Sequence, residues 1–125
     1  MDNPPTFLST MPRYVILEHD HPRRHWDLML EAGEALCTWR LEAWPEDGVR
    51  IRAEPIGQHR KAYLDYEGTV SGGRGRVQRR DMGTYTGEVM TALAVTVNGG
   101  CLKGSITIAP DSTGTWWFRY FSATS

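Results

Sequence analysis

Glycine and proline interrupt this chain so often that a long helix has nowhere to form. There are 13 Gly and 7 Pro in 125 residues, and they punctuate it at intervals of about ten residues. The segments between them are rich in Val, Ile, Thr, Tyr and Trp, which fit a pleated, half-buried surface. Strands are expected near 13–18, 25–31, 34–41, 48–53, 62–70, 75–81, 84–89, 92–98, 101–109 and 115–121. Ala32-Gly33, Glu46-Asp47-Gly48, Gly72-Gly73, Asn98-Gly99-Gly100 and Asp111-Ser112-Thr113-Gly114 supply turns between several of them. No segment above ten residues has a 3.6-residue period, so helix is limited to a turn near 20–24 or 40–46. Short strands leave edges that must be paired or covered. The pattern predicts an all-β fold: a small closed or nearly closed β-barrel of short, mostly antiparallel strands with little helix.

The length is that of one domain. Residues 13–125 are expected to form it, with 1–12 as a flexible N-terminal tail. Met1-Asp2-Asn3-Pro4-Pro5 has neither the basic start nor the apolar core of a secretory signal. No apolar run approaches the ~18 residues of a membrane span, so no membrane partner is expected. Lys and Arg number 14 against 15 Asp and Glu, a net charge of −1. That excludes a protein that coats nucleic acid by charge alone, and leaves room for a local basic patch. Cys37 and Cys101 are too few for a disulfide scaffold. Reduced thiols, a cytoplasmic location and a monomer are expected.

Three of the four histidines, His19, His21 and His25, fall within seven residues, ahead of Trp26-Asp27-Leu28-Met29-Leu30-Glu31. On a strand, residues two apart share a face. His25, Asp27, Met29 and Glu31 therefore point one way, and Trp26, Leu28 and Leu30 the other. The Trp/Leu/Leu face is the natural packed layer, which turns the His/Asp face towards water or a polar pocket. His19, at the end of the preceding strand, can join them when the 20–24 loop folds back. Two imidazoles and a carboxylate with open positions suit a divalent ion such as Mn, Fe or Zn. A merely solvated strand face would give the same pattern. Taken alone, His59 reads as a loop histidine and Tyr63 as a core residue. Arg74, Arg76, Arg79 and Arg80 make four basic residues in seven. They suit a phosphate backbone or a solvated hairpin.

Several segments together resemble a known family. Tyr14-Val15-Ile16-Leu17-Glu18-His19-Asp20 and Arg24-His25-Trp26-Asp27-Leu28-Met29-Leu30-Glu31 are similar to the first motif of the 3′-phosphoesterase domain of bacterial DNA ligase D. That motif reads aromatic-Val-Val-x-x-His-Asp and then Leu-His-Tyr-Asp-Phe-Arg-Leu-Glu. His59-Arg60-Lys61-Ala62-Tyr63-Leu64-Asp65-Tyr66-Glu67-Gly68 resembles a second, His-Pro-x-x-Tyr-x-x-Phe-Glu-Gly. Asp81-Met82-Gly83-Thr84-Tyr85 and Leu102-Lys103-Gly104 with Trp116-Trp117-Phe118 add weaker matches.

The resemblance implies a β-barrel that binds one divalent metal ion, Mn²⁺ in the first place, with Zn²⁺ or another transition metal as substitutes. It implies removal of a 3′-ribonucleoside or 3′-phosphate from DNA or RNA-tipped DNA ends during repair, beside a separate ligase or polymerase. By position it makes His19, His25 and Asp27 the metal ligands, and His59 and Tyr63 the residues at the scissile phosphate. The family's arginine two residues after the aspartate is Met29 here, which implies a weakened phosphate clamp. Arg74, Arg76 or Arg80 are the candidates to replace that charge and bind substrate. Two other readings stay open. One is a non-catalytic nucleic-acid-binding module. The other is a non-haem Fe(II) oxygenase in which His25, Asp27 and His59 hold iron and His19 is spare.

Overall fold

A computed structural model describes residues 11–90 and 92–123. Of the expected tail at 1–12, all but Met11 and Pro12 lies outside the described residues. Nine strands run in chain order: β1 Arg13–His19, β2 His25–Ala32, β3 Ala35–Leu41, β4 Arg50–Arg60, β5 Gly68–Thr69, β6 Arg76–Val89, β7 Leu93–Gly99, β8 Lys103–Pro110 and β9 Trp116–Ser122. A 3₁₀ turn at Lys61–Leu64 is the helical element among the described residues. The sheet order is β1-β2-β3-β4-β9-β8-β7-β6-β5, and β1 also pairs with β6. Eight antiparallel strands thus close a barrel, and the two-residue β5 is a flap on β6. Closure gives each of the eight barrel strands a neighbour on both sides along at least part of its length. No helix among the described residues is long and apolar enough to cross a membrane.

The alternation that predicted strands also fills the barrel. Along β7 the residues Leu93, Val95 and Val97 are buried, while Ala94, Thr96 and Asn98 face out. Tyr14, Ile16, Leu28, Leu30, Trp39, Leu41, Ile106, Ile108 and Phe118 join them in one interior core. A second apolar layer lies on the opposite, outer face of β1, β2, β3 and β6. It holds Val15, Leu17, Met29, Leu36, Val77 and Leu64, with Tyr63 and Val70 packed against it. Leu64 belongs to the 3₁₀ turn, so the segment after β4 folds over the outside of the barrel as a cover.

Several expected elements differ. The strand expected at 62–70 is the 3₁₀ turn plus β5, because Tyr63 and Leu64 are spent on the outer layer instead of alternating in a sheet. The strands expected at 75–81 and 84–89 are one strand, β6. Its first half pairs with β1 and its second with β7, so Met82-Gly83 needs no turn. The segments 20–24 and 40–46 carry bends and no helix.

Candidate metal centre and its surroundings

The β1–β2 register pairs His19 with His25 and Leu17 with Asp27, so the turn between the strands folds back as the spacing requires. His19, His25 and Asp27 offer ligand atoms that all lie within 4.8 Å of one another. His19 Nδ1 is 3.8 Å from Asp27 Oδ2, and His25 Nε2 is 3.3 Å from Asp27 Oδ1. The two rings meet edge to face at 5.0 Å. All three lie on the outer face of the barrel, where Asp27 continues the row of the apolar layer. His25 and Asp27 are 5% and 4% exposed, so this is a built pocket and not a solvated strand face.

The far side of each ring fixes its tautomer. His19 Nε2 is 2.7 Å from the Arg74 carbonyl, and His25 Nδ1 is 2.8 Å from the Arg23 carbonyl. A carbonyl can only accept, so each of those nitrogens carries the proton. His19 Nδ1 and His25 Nε2 are left with lone pairs aimed at the shared space, the arrangement that orients imidazole ligands around metals. His25 Nε2 and Asp27 Oδ1 are both buried with no hydrogen-bond partner. Buried polar atoms left unpaired are costly, and a divalent cation would satisfy both. The donor set of two nitrogens and a carboxylate therefore fits such an ion.

The cover brings in the second motif. A bulge in the β3–β4 ladder, between Cys37 and Trp39, re-aims the end of β4. Gly57 supplies the positive φ of 85° there. His59 then pairs with Leu36 and lies within electrostatic reach of Asp27, Arg40 and His19. Its Nδ1 is buried without a partner. Burial pushes the His59 imidazole below its ordinary pKa. The Asp27 carboxylate pulls the other way, and Arg40 and His19 push it further down. Tyr63 stands edge-on to His59 at 6.0 Å, on the 3₁₀ turn. His59 is not part of the cluster with ligand atoms within 4.8 Å, so the grouping required by an iron oxygenase is not the one formed.

Arg74 and Arg80 have partners within the chain. Arg74 donates from Nε to the Ser71 carbonyl at 2.7 Å and from Nη2 to Ser71 Oγ. Its contribution to the centre is the carbonyl that holds His19. Arg80 pairs with Glu18 at 2.9 Å, and Arg24 pairs with the same carboxylate at 2.8 Å. Arg76 lines a separate hollow with Glu18, Asp20 and Glu67. Met29 shares the face of His25 and Asp27, as the alternation requires. It does not line an open pocket, because it is 2% exposed within the outer apolar layer.

One residue of the site escaped the sequence reading. Arg40 is directly opposite Asp27 in the β2–β3 ladder. With His25 and Arg23 it lines a cleft of about 410 Å³, and its Nε is buried with no partner. The signal was available: a turn at Ala32-Gly33 that pairs Ala32 with Ala35 necessarily pairs Asp27 with Arg40.

A family model for the DNA ligase D 3′-phosphoesterase domain matches residues 17–109. The multifunctional non-homologous end joining protein LigD of Pseudomonas aeruginosa is 32% identical over 79 residues. That alignment covers 59% of this chain and 9% of the relative's length.

Proposed function

The chain belongs to the DNA ligase D 3′-phosphoesterase domain family, and from that premise we propose that it is a metal-dependent phosphoesterase that trims 3′ ends of nucleic acid in DNA repair. The observation that carries this reading is the pair of buried, unpartnered atoms His25 Nε2 and Asp27 Oδ1 beside His19 Nδ1. His19, His25 and Asp27 would hold one divalent cation, Mn²⁺ in the first instance. Such an ion neutralises phosphate charge and makes a water acidic enough to attack at neutral pH.

The chain's own groups supply the rest. Arg40 is opposite Asp27 and its Nε has no partner, so its guanidinium would take a phosphate oxygen. Water oxygen bonds to phosphorus and the phosphorus–oxygen bond to the leaving group breaks. For a 3′-phosphate the leaving group is the strand's 3′ oxygen. For a 3′-ribonucleoside it is that nucleoside's 5′ oxygen. Either oxygen needs a proton. Burial lowers the His59 pKa while the site is free, and an arriving phosphate favours its charged form. The imidazolium therefore forms where the proton is needed, with Tyr63 against its edge. The substrate is a DNA or RNA-tipped DNA end.

The test uses 5′-labelled primers ending in a ribonucleotide or a 3′-phosphate, with and without Mn²⁺. Shortening or dephosphorylation that requires the ion is expected. Binding without any metal-dependent product would leave a non-catalytic module.

A further inference from the structure

The outer face of β4 and β9 carries three arginines that form no ion pair among the described residues. Arg50 and Arg119 are directly opposite in the ladder, and Arg52 is opposite Trp117. Like charges directly opposite destabilise a sheet. Every ion pair of the other arginines among the described residues goes to a carboxylate elsewhere: Arg13 to Asp65, Arg24 and Arg80 to Glu18. Arg50, Arg52 and Arg119 have no carboxylate within 4.0 Å among the described residues, and Arg119 Nε is buried without a partner.

Aromatic rings are interleaved with these charges. The Arg50 guanidinium is 3.8 Å from the Trp117 ring centre and that of Arg119 is 5.9 Å from Phe121. Phe121 is 47% exposed. The face is also continuous with the metal centre. Asp27 pairs with Arg40, Arg40 with Glu54, and Glu54 shares its side of β4 with Arg52. Three strand spacings separate Asp27 on β2 from β9, roughly 14 Å.

We propose that this face is a track for the single-stranded nucleic acid leading to the 3′ terminus. Arg50, Arg52 and Arg119 bind successive phosphates. Bases stack on the guanidinium plane of Arg50, backed by Trp117, and on Phe121. Alternating cations and exposed ring faces are what an unpaired strand requires, because its bases are free to stack. A paired duplex would present only phosphates and leave Phe121 without a partner. The inference rests on the 3′-end reading for its direction, and on the β4–β9 geometry for its existence.

The experiment is anisotropy of a 5′-labelled single-stranded DNA with a plain 3′-hydroxyl, using the whole chain in EDTA over a range of salt. This probe has nothing to remove and no ion to require, so its result is independent of turnover. Arg50→Ala with Arg119→Ala should weaken binding about 10-fold or more and flatten the log–log salt slope by about 1.4, two contacts at ~0.7 each. Phe121→Ala should weaken binding roughly 5-fold or more with the slope unchanged. Mn²⁺ affinity should stay at the wild-type value in both variants, which shows that the barrel and its metal centre are intact. Wild-type affinity and slope in the arginine double variant would overturn the track. So would a polyglutamate peptide that displaces the oligonucleotide at equal concentration, which would make the face a site for an acidic protein. Loss of turnover with oligonucleotide binding intact would count against the catalytic reading alone.

Discussion

His19 Nε2 and the Arg74 carbonyl oxygen are 2.7 Å apart although 55 positions separate them in the chain. The bond ties the end of β1 to the turn before β6, and it determines which nitrogen of His19 faces the metal centre. The turn is itself pinned: Arg76 N–H donates to Asp20 Oδ1 at 2.8 Å. The histidine loop and the 71–75 turn therefore form one unit.

Gly75 is the residue that permits this contact. Its φ is 76°, and a methyl group there would run into the Asp20 carboxylate and stand 2.7 Å from His21 Cβ. Gly75→Ala should push the turn away and release the His19 ring while the barrel core stays formed. Loss of an outer hydrogen bond to a ligand typically costs 10- to 100-fold in metal affinity. Calorimetric titration with Mn²⁺ should show a loss of about that size, and wild-type affinity would mean that the Arg74 carbonyl does not orient His19.

The centre should also couple metal to stability. An ion that binds only the folded chain adds about 2.7 kcal/mol at a hundred times its Kd. Mn²⁺ at that excess should raise the Tm by several degrees, and EDTA should reverse the rise. His25→Ala should abolish the response, because it removes one of the two inward-facing nitrogens. A thermal scan that gives the same metal-induced shift in His25→Ala would place the ion elsewhere.

Strand periodicity made much of this legible before any coordinates. Residues two apart on β2 had to share a face, so His25 and Asp27 had to converge, and His19 followed from a short return loop. The Trp26, Leu28 and Leu30 row marked the interior face, but periodicity could not show that the outer face carries an apolar layer of its own under the Leu64 cover. It also misread Tyr63 and Leu64 as strand, because two apolar residues look alike whether they enter a sheet or cover an exposed layer. The bulge that aims His59 leaves only Gly57 as its trace. Arg40 was hidden for another reason: it carries no motif, and only the ladder register places it opposite Asp27.

A pH dependence follows from Tyr14. Its ring is 1% exposed and its hydroxyl donates to Asp81, which also accepts from the backbone N–H of Cys101 and Leu102. Burial, then the Asp81 hydrogen bond and charge, raise the Tyr14 pKa well above its usual value. Burial raises Tyr85 in the same direction. A raised folded pKa gives stability that is complete below the unfolded value, about 10 for tyrosine, and is lost as pH rises beyond it. Burial also raises the pKa of the Cys37 thiol, whose ordinary value is about 8.5. Urea unfolding should therefore show a first decline from about pH 8.5 and a steeper one above about pH 10, by up to about 1.4 kcal/mol per unit per tyrosine. Tyr14→Phe should make that decline shallower. Equal slopes in the variant and the wild type would assign the alkaline loss to other groups.

Met29 stands two residues from Asp27 along β2, and Arg40 stands opposite Asp27 on β3. Both side chains belong to the outer face on which Asp27 lies, but their surroundings differ. Met29 is closed in by Val15, Leu17, Leu36, Val77 and the Leu64 cover. An arginine at Met29 would bury an unpaired guanidinium or lift the 3₁₀ turn that carries Tyr63, at a cost of several kcal/mol. Arg40 already lines the cleft beside His25 with a free Nε. A charge-assisted contact made chiefly in the transition state contributes about 2–4 kcal/mol, or roughly 30- to 1,000-fold in rate. Arg40→Ala should therefore slow single-turnover removal of a 3′-phosphate by about that factor with Mn²⁺ affinity unchanged. Arg40→Lys should recover only part of the rate, because an ammonium lacks the planar fork of donors. Met29→Arg should lower the Tm and leave the rate no higher than wild type. If Met29→Arg is instead faster at an unchanged Tm, the new guanidinium reaches the phosphate from the apolar layer, and Arg40 is not the group that holds it.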